Sequence, residues 1–130
     1  MSRTDAILKF YESDNTKIRK NLSEILDHGA LGGTGKLIIS AVDQGFEHGP
    51  TRSFAPNDAA YDPFYHFNLA IEGGLSAFAA PIGLLEAGAT SFKGKIPTIL
   101  KINSSNALYT HEPDQAVLEV FHLIAFSKKF

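Results

Sequence analysis

Apolar residues recur at intervals of three and four through residues 16–26, the spacing that places side chains on one face of an α-helix. These positions are Ile18, Leu22, Ile25 and Leu26. His28 and Gly29 come next, and such residues suit the carboxyl end of a helix, where carbonyls need donors and the backbone takes a positive φ. The pattern therefore predicts a helix that ends before His28, and a shorter helix is predicted around residues 6–11.

Three short apolar runs follow, at residues 36–42, 75–80 and 96–102. The first run is apolar on both faces, which is typical of strands in parallel sheets that helices cover on both sides. The second and third runs lie next to glycine and proline residues, which commonly bound strands. We therefore expect three buried strands.

The segments between these runs predict helices and a loop. Asp62 and Pro63 supply a cap and a rigid first turn for a helix that ends at Gly73. A weaker helical pattern covers residues 83–88, whereas residues 43–56 are polar, carry glycine and proline, and read as a loop. Strand and helix thus alternate at short intervals.

This alternation predicts an α/β fold with parallel strands joined by right-handed crossovers. A doubly wound sheet would usually carry a G-x-G-x-x-G turn after its first strand, and none is present there. Leading helices and polar residues at strand ends favour a TIM (β/α)8 barrel instead. Because a whole barrel needs roughly 200 residues or more, the 130 residues predict its amino-terminal part, about three βα units preceded by one or two helices.

Composition narrows the function classes. The chain is 44% hydrophobic and 20% charged with a net charge of −2, so it provides no broad positive field for nucleic acid or a membrane surface. With no cysteines, it cannot use thiol chemistry, thiolate metal sites or disulfides. It begins without a signal-peptide pattern and contains no run of ~18 apolar residues. We expect a cytoplasmic protein.

The stretch with the most chemical content is residues 42–50, VDQGFEHGP. Asp43 ends a buried strand, where an unpaired carboxylate would be costly. It either terminates the strand through a local turn or points into a cleft, tuned for proton transfer or substrate binding, and the residues alone leave both readings open. For His48, a local hydrogen-bonding role is favoured over acid–base chemistry. No close H-x-x-x-H or H-x-E spacing predicts a metal site.

Residues 42–50 resemble the Asp-(His/Gln)-Gly-x-Glu-His-Gly-Pro signature that follows the first strand of archaeal-type class I fructose-bisphosphate aldolases. Further similar segments are residues 32–35 (GGTG), 62–63 (DP), 97–103 (PTILKIN), 106–109 (NALY) and 112–115 (EPDQ). The resemblance covers roughly residues 20–117, with the bacterial subgroup nearest.

The resemblance implies a (β/α)8 barrel that cleaves fructose 1,6-bisphosphate into dihydroxyacetone phosphate and glyceraldehyde 3-phosphate in glycolysis. The chemistry proceeds through a lysine Schiff base without a cofactor or metal, and full-length relatives are homo-oligomeric. It implies a catalytic and substrate-binding role for Asp43 and substrate contacts for Gln44, His48 and Lys101. The family's Schiff-base lysine comes from the sixth strand, so none is expected in this chain.

The end of the chain departs from the family pattern. We therefore expect one partial barrel domain over residues 1–130, with leading helices at 1–35, βα units at 36–117 and a divergent tail at 118–130. The apolar spacing from Val117 to Ile124 could form an amphipathic helix. An open part of a barrel leaves two unpaired strand edges and one uncovered apolar face, which predicts instability or self-association. A truncated aldolase that is inactive alone is the first hypothesis. A non-catalytic remnant and a sugar-phosphate-binding module are the alternatives.

Overall fold

The computed structural model describes residues 2–44, 49–105 and 116–118 of the chain. Its helices are α1 (Arg3–Leu8), α2 (Thr16–Asp27), α3 (Pro50–Phe54), α4 (Pro63–Glu72) and α5 (Ile82–Gly88), with 3₁₀ turns at Lys9–Tyr11 and Asp58–Tyr61. Its strands are β1 (Ile39–Ala41), β2 (Ala77–Ala80), β3 (Thr98–Leu100), β4 (Asn103–Ser105) and β5 (Ala116–Leu118). Within these residues, no helix has the length and apolar character needed to cross a membrane.

Both leading helices are present, and side chains cap their amino ends. Ser2 and Asp5 form a capping box at α1, which explains why that helix begins earlier than its apolar residues indicate. The Ser2 backbone amide donates to the Asp5 carboxylate and thereby lowers the pKa of Asp5. Asn15 caps α2 by accepting from the amide of Ile18 at 3.0 Å.

Close backbone contact joins this helical pair to the sheet. Gly29 has a φ of 74°, and a Cβ atom there would overlap the carbonyl oxygen of Gly74. The amide of Ala30 donates to that same carbonyl at 2.7 Å. Glycine is required at position 29 because both the positive φ and the close approach exclude a side chain.

The predicted parallel strands are confirmed for β1, β2 and β3, which form one sheet in that order. Ala41 pairs with Ala79, and Ala80 pairs with Leu100. Each strand is shorter than its apolar run. Parallel neighbours connected by helical segments are the arrangement expected of βα units.

Aromatic rings fill the space between this sheet and its helices. Phe67 of α4 is 2% exposed and packs on Phe78 of β2, with ring centroids 4.6 Å apart. It also stacks on Phe92 at 4.6 Å with nearly parallel planes. Gly88 of α5 makes room for the Phe67 ring, since a Cβ atom at Gly88 would overlap it. Helices α4 and α5 therefore bury one face of the sheet.

The opposite face of the sheet is largely uncovered within the described residues. Ile39 is 41% exposed and Ala41 is also exposed. The apolar pattern of the first strand predicted burial on both faces, and this is wrong for the described residues. The uncovered face agrees with the expectation that an open part of a barrel leaves one apolar face exposed. The apolar run was identified correctly, but described helices pack against only one side of the sheet.

Two further segments differ from the sequence predictions. The predicted polar loop contains helix α3, whose Phe54 packs against the hydrophobic core. Residues 116–118 form strand β5, antiparallel to β4, where the apolar spacing from Val117 had allowed a helix. The rest of that predicted helix lies outside the described residues. Pairing with β4 has therefore overridden the helical spacing of the apolar residues.

Asp62→Ala is expected to lower the free energy of unfolding by about 1 kcal/mol, because Asp62 Oδ1 accepts from the amide of Phe64 at 2.9 Å and caps α4. Urea unfolding measures the change. Asp58→Ala is the matched control, since it removes an acidic side chain from a 3₁₀ turn that has no side-chain cap. Equal effects of the two substitutions would contradict a capping role for Asp62.

Candidate functional site

Two of the predicted site residues follow the carboxyl ends of β1 and β3, the two strands that flank β2. The amide of Val42 donates to the carbonyl of Ala79 at 3.0 Å, which continues the β1–β2 pairing by one residue. The amide of Lys101 donates to the carbonyl of Ala80 at 3.1 Å and continues the β2–β3 pairing in the same way. Asp43 and Lys101 therefore lie at one edge of the sheet, on either side of the end of β2.

Asp43 and Lys101 form an ion pair across that edge. Lys101 Nζ donates to Asp43 Oδ2 at 2.8 Å, and the two side chains are 26% and 29% exposed. The two residues are 58 positions apart in sequence, so the contact depends on the fold. A charge-assisted hydrogen bond of this length fixes the orientation of both groups.

The alternation of side chains along a strand explains the direction of Asp43. Val42 packs in the hydrophobic core with Phe78, on the face that the helices cover. Successive residues of an extended segment point to opposite faces. The Asp43 carboxylate therefore lies on the uncovered face, at its carboxyl edge, where Lys101 reaches it across the end of β2.

A cavity of about 420 Å³ opens beside Asp43 and is lined also by Gln44, Arg52 and Ser53. It is open to solvent over much of its surface. Gln44 is partly buried, and its Oε1 accepts from the Asp43 amide at 3.2 Å. Arg52 and Ser53 were not predicted as site residues, because both belong to α3, in a stretch whose sequence indicates a loop.

Three of the four predicted site residues are thus brought together. Asp43 and Lys101 are in direct contact, and Gln44 is adjacent to Asp43. The fourth, His48, lies outside the described residues, as does Glu47. The predicted roles of all four in catalysis and substrate binding remain predictions.

A family model described as "DeoC/LacD family aldolase" matches residues 37–128, most of the chain. The chain belongs to the DeoC/LacD aldolase family. This confirms the aldolase family predicted from residues 42–50. The match includes Asp43, Lys101 and the cavity residues of α3, whereas helices α1 and α2 precede it.

Curated relatives of this family member are named as class 1 aldolases. "Probable fructose-bisphosphate aldolase class 1" of Chlamydia muridarum is 45% identical over 76% of this chain and 29% of its own length. "Fructose-bisphosphate aldolase class 1" of Thermoproteus tenax is 39% identical over 61% of this chain and 28% of its own. The Halobacterium salinarum protein of that name is 37% identical, with coverage of 64% and 31%.

This DeoC/LacD family chain therefore spans less than a third of the length of the curated relatives it matches. No solved structure gives a significant match.

Proposed function

We propose that this chain supplies the first part of a class I fructose-bisphosphate aldolase site, in which Asp43 and Lys101 bind and orient a sugar phosphate. The observation that carries the proposal is the 2.8 Å ion pair between them at the carboxyl edge of three parallel strands. In α/β barrels, functional residues come from the ends of several different strands. The names of the relatives support fructose 1,6-bisphosphate as the substrate.

The proposed reaction proceeds through an imine between a lysine and the ketone of the substrate, which then acts as the electron sink for carbon–carbon cleavage. Asp43 is assigned to positioning a substrate hydroxyl and to the proton movements next to the imine. Lys101 holds the carboxylate in place and is proposed to contact substrate oxygens. Gln44 and His48 are proposed to add polar contacts to the substrate.

Lys101 is not proposed as the lysine that forms the imine. A nucleophilic amine must be neutral and present a lone pair to the carbonyl carbon, whereas the Asp43 carboxylate 2.8 Å from Lys101 Nζ stabilises the charged ammonium form, which has no lone pair. Its place after the third strand also differs from the sixth-strand position that the family resemblance implies. In this proposal the chain carries positioning groups and no Schiff-base lysine.

A (β/α)8 barrel is the architecture proposed for the complete site. The three parallel strands bury one face under helices and leave the other face largely uncovered. In a barrel that second face would be the interior, and the edges of β1 and β3 would pair with further strands. The proposed division of residues 1–130 into leading helices, βα units and tail follows from this arrangement.

The proposal is tested by titrating the ¹⁵N-labelled chain with fructose 1,6-bisphosphate and, separately, with unphosphorylated fructose. We expect concentration-dependent shifts of the amide resonances of Asp43, Gln44 and Lys101 with the bisphosphate, because these residues lie at the proposed site. Shifts confined to the leading helices, or none at any residue, would remove the basis of the proposal.

A second measurement separates binding from chemistry. Borohydride reduction in the presence of dihydroxyacetone phosphate traps any lysine that forms an imine, and mass spectrometry locates the adduct. We expect substrate binding without an adduct on the 130-residue chain. An adduct on Lys101 would show that the assignment of a positioning role to this lysine is wrong.

A further inference from the structure

The positive charge of Lys101 is not available in full for a substrate phosphate. Its ammonium group is paired with the Asp43 carboxylate at 2.8 Å, so the pair carries no net charge. A sugar bisphosphate, by contrast, brings about two negative charges on each phosphate group near neutral pH. The site described above therefore needs another cation to bind such a ligand tightly.

Arg52 is the cation next to this pair. It lines the same 420 Å³ cavity as Asp43 and Gln44. Its side chain is exposed, and across the described part of the chain it forms no ion pair or hydrogen bond. An arginine whose donors are uncommitted presents a planar guanidinium that can bind two phosphate oxygens at once.

Core packing holds the helix that carries Arg52 in position. The Phe54 ring lies 5.7 Å from the ring of Tyr61 and 5.2 Å from that of His66, measured between centroids. The Tyr61 hydroxyl donates to the carbonyl of Thr51 at 3.2 Å. With Phe54 directed into the core, Arg52 and Ser53 line the cavity from the other side of the helix.

We propose that Arg52 and Ser53 bind a phosphate group of the sugar-phosphate substrate, and thereby select phosphorylated over neutral sugars. The proposal rests on the proposed function, since it places this phosphate beside the Asp43 site. The guanidinium of Arg52 supplies the charge and two parallel donors, and the Ser53 hydroxyl supplies a third donor. Lys101 then remains with Asp43 and acts on the sugar oxygens.

The test measures dissociation constants of the 130-residue chain for fructose 1,6-bisphosphate and for fructose by titration calorimetry. Arg52→Gln is expected to weaken bisphosphate binding roughly 10- to 100-fold, the usual loss for a charged hydrogen bond, and to leave fructose binding unchanged. Arg52→Lys is expected to recover part of the loss, because it restores charge without the bidentate geometry. Ser53→Ala is expected to give a smaller loss.

Lys93→Gln is the matched control, since Lys93 is an exposed cation in the turn before β3, away from the cavity. A loss of the same size in Lys93→Gln and Arg52→Gln would indicate a general charge effect and overturn the assignment. Addition of the bisphosphate is expected to shift the NMR resonances of the Arg52 amide and of its side-chain Nε. Such shifts would directly support phosphate binding by Arg52.

Failure of this inference can be distinguished from failure of the proposed function. If Asp43→Ala weakens bisphosphate binding but Arg52→Gln does not, the sugar-phosphate site stands and the phosphate assignment is wrong. If the unaltered chain binds no bisphosphate, both are wrong. If Arg52→Gln abolishes the preference for the bisphosphate over fructose and Asp43→Ala weakens both ligands, both are supported.

Discussion

Phe67→Ala is expected to lower the free energy of unfolding by about 3–5 kcal/mol, the usual cost of removing a buried aromatic ring. The ring is 2% exposed and contacts the rings of both Phe78 and Phe92. Because small domains are stable by only about 5–15 kcal/mol in total, this single change is expected to remove a large share of the free energy of unfolding.

The mechanism of that loss is specific to the position of Phe67. Gly88 lies so close to the ring that no side chain fits there, so truncating Phe67 opens a cavity that its neighbours cannot fill without moving helix α5. Phe67→Leu is expected to lose less, because it keeps most of the buried apolar area. It keeps the measurement informative if Phe67→Ala does not fold.

Urea unfolding followed by circular dichroism measures both changes, and Phe10→Ala is the matched control. Phe10 is 85% exposed, so its removal is expected to alter the unfolding free energy by no more than about 0.5 kcal/mol. Similar midpoints for Phe10→Ala and Phe67→Ala would show that the cluster of Phe67, Phe78 and Phe92 does not hold α4 and α5 on the sheet.

Local sequence signals predicted most of the elements. Asp62-Pro63 marked the start of α4, and the spacing of Ile18 and Leu22 marked α2, because capping and periodicity are properties of neighbouring residues. Helix α3 was missed for the converse reason. Its five residues carry no periodic pattern, and it is held by the contacts of Phe54 with Tyr61 and His66, which only the fold brings together.

The coverage of the sheet could not be predicted from the same signals. The run at residues 36–42 places apolar side chains on both faces of a strand, which indicates a strand suited to burial but not which face the described helices cover. Exposure of Ile39 depends on where α4 and α5 pack, and this is a tertiary property. The local pattern therefore predicted the strand but not which face is covered, whereas the small size of the chain predicted that one apolar face of an open barrel would be exposed.

The candidate site also combines features that local sequence predicts with contacts that only the fold determines. Asp43 was predicted because a carboxylate at the end of an apolar strand needs a partner, but the sequence left that partner open. The partner, Lys101, was itself a predicted site residue on other grounds, namely its place after the third strand. Asp43 and Lys101 are 58 positions apart in sequence, and the parallel register of β1, β2 and β3, which local patterns do not specify, brings them together.

Asp43→Ala and Lys101→Met are each expected to weaken fructose 1,6-bisphosphate binding by about 100-fold, whereas the double variant is expected to be little worse than either single one. Each single change removes a group proposed to contact substrate and also leaves its former partner without the opposite charge at 2.8 Å. Since the two groups act as one unit, their effects should not add.

The same variants separate binding from folding. The pair is about a quarter exposed, so solvent screens it, and its coupling in unfolding free energy is expected to be no more than about 1 kcal/mol. The coupling in binding free energy is expected to be larger, about 1–3 kcal/mol, because substrate contact and carboxylate orientation are lost together. Calorimetric titration and urea unfolding of the four proteins measure both quantities. Additive losses in binding would mean that Asp43 and Lys101 act independently and that their contact does not organise a substrate site.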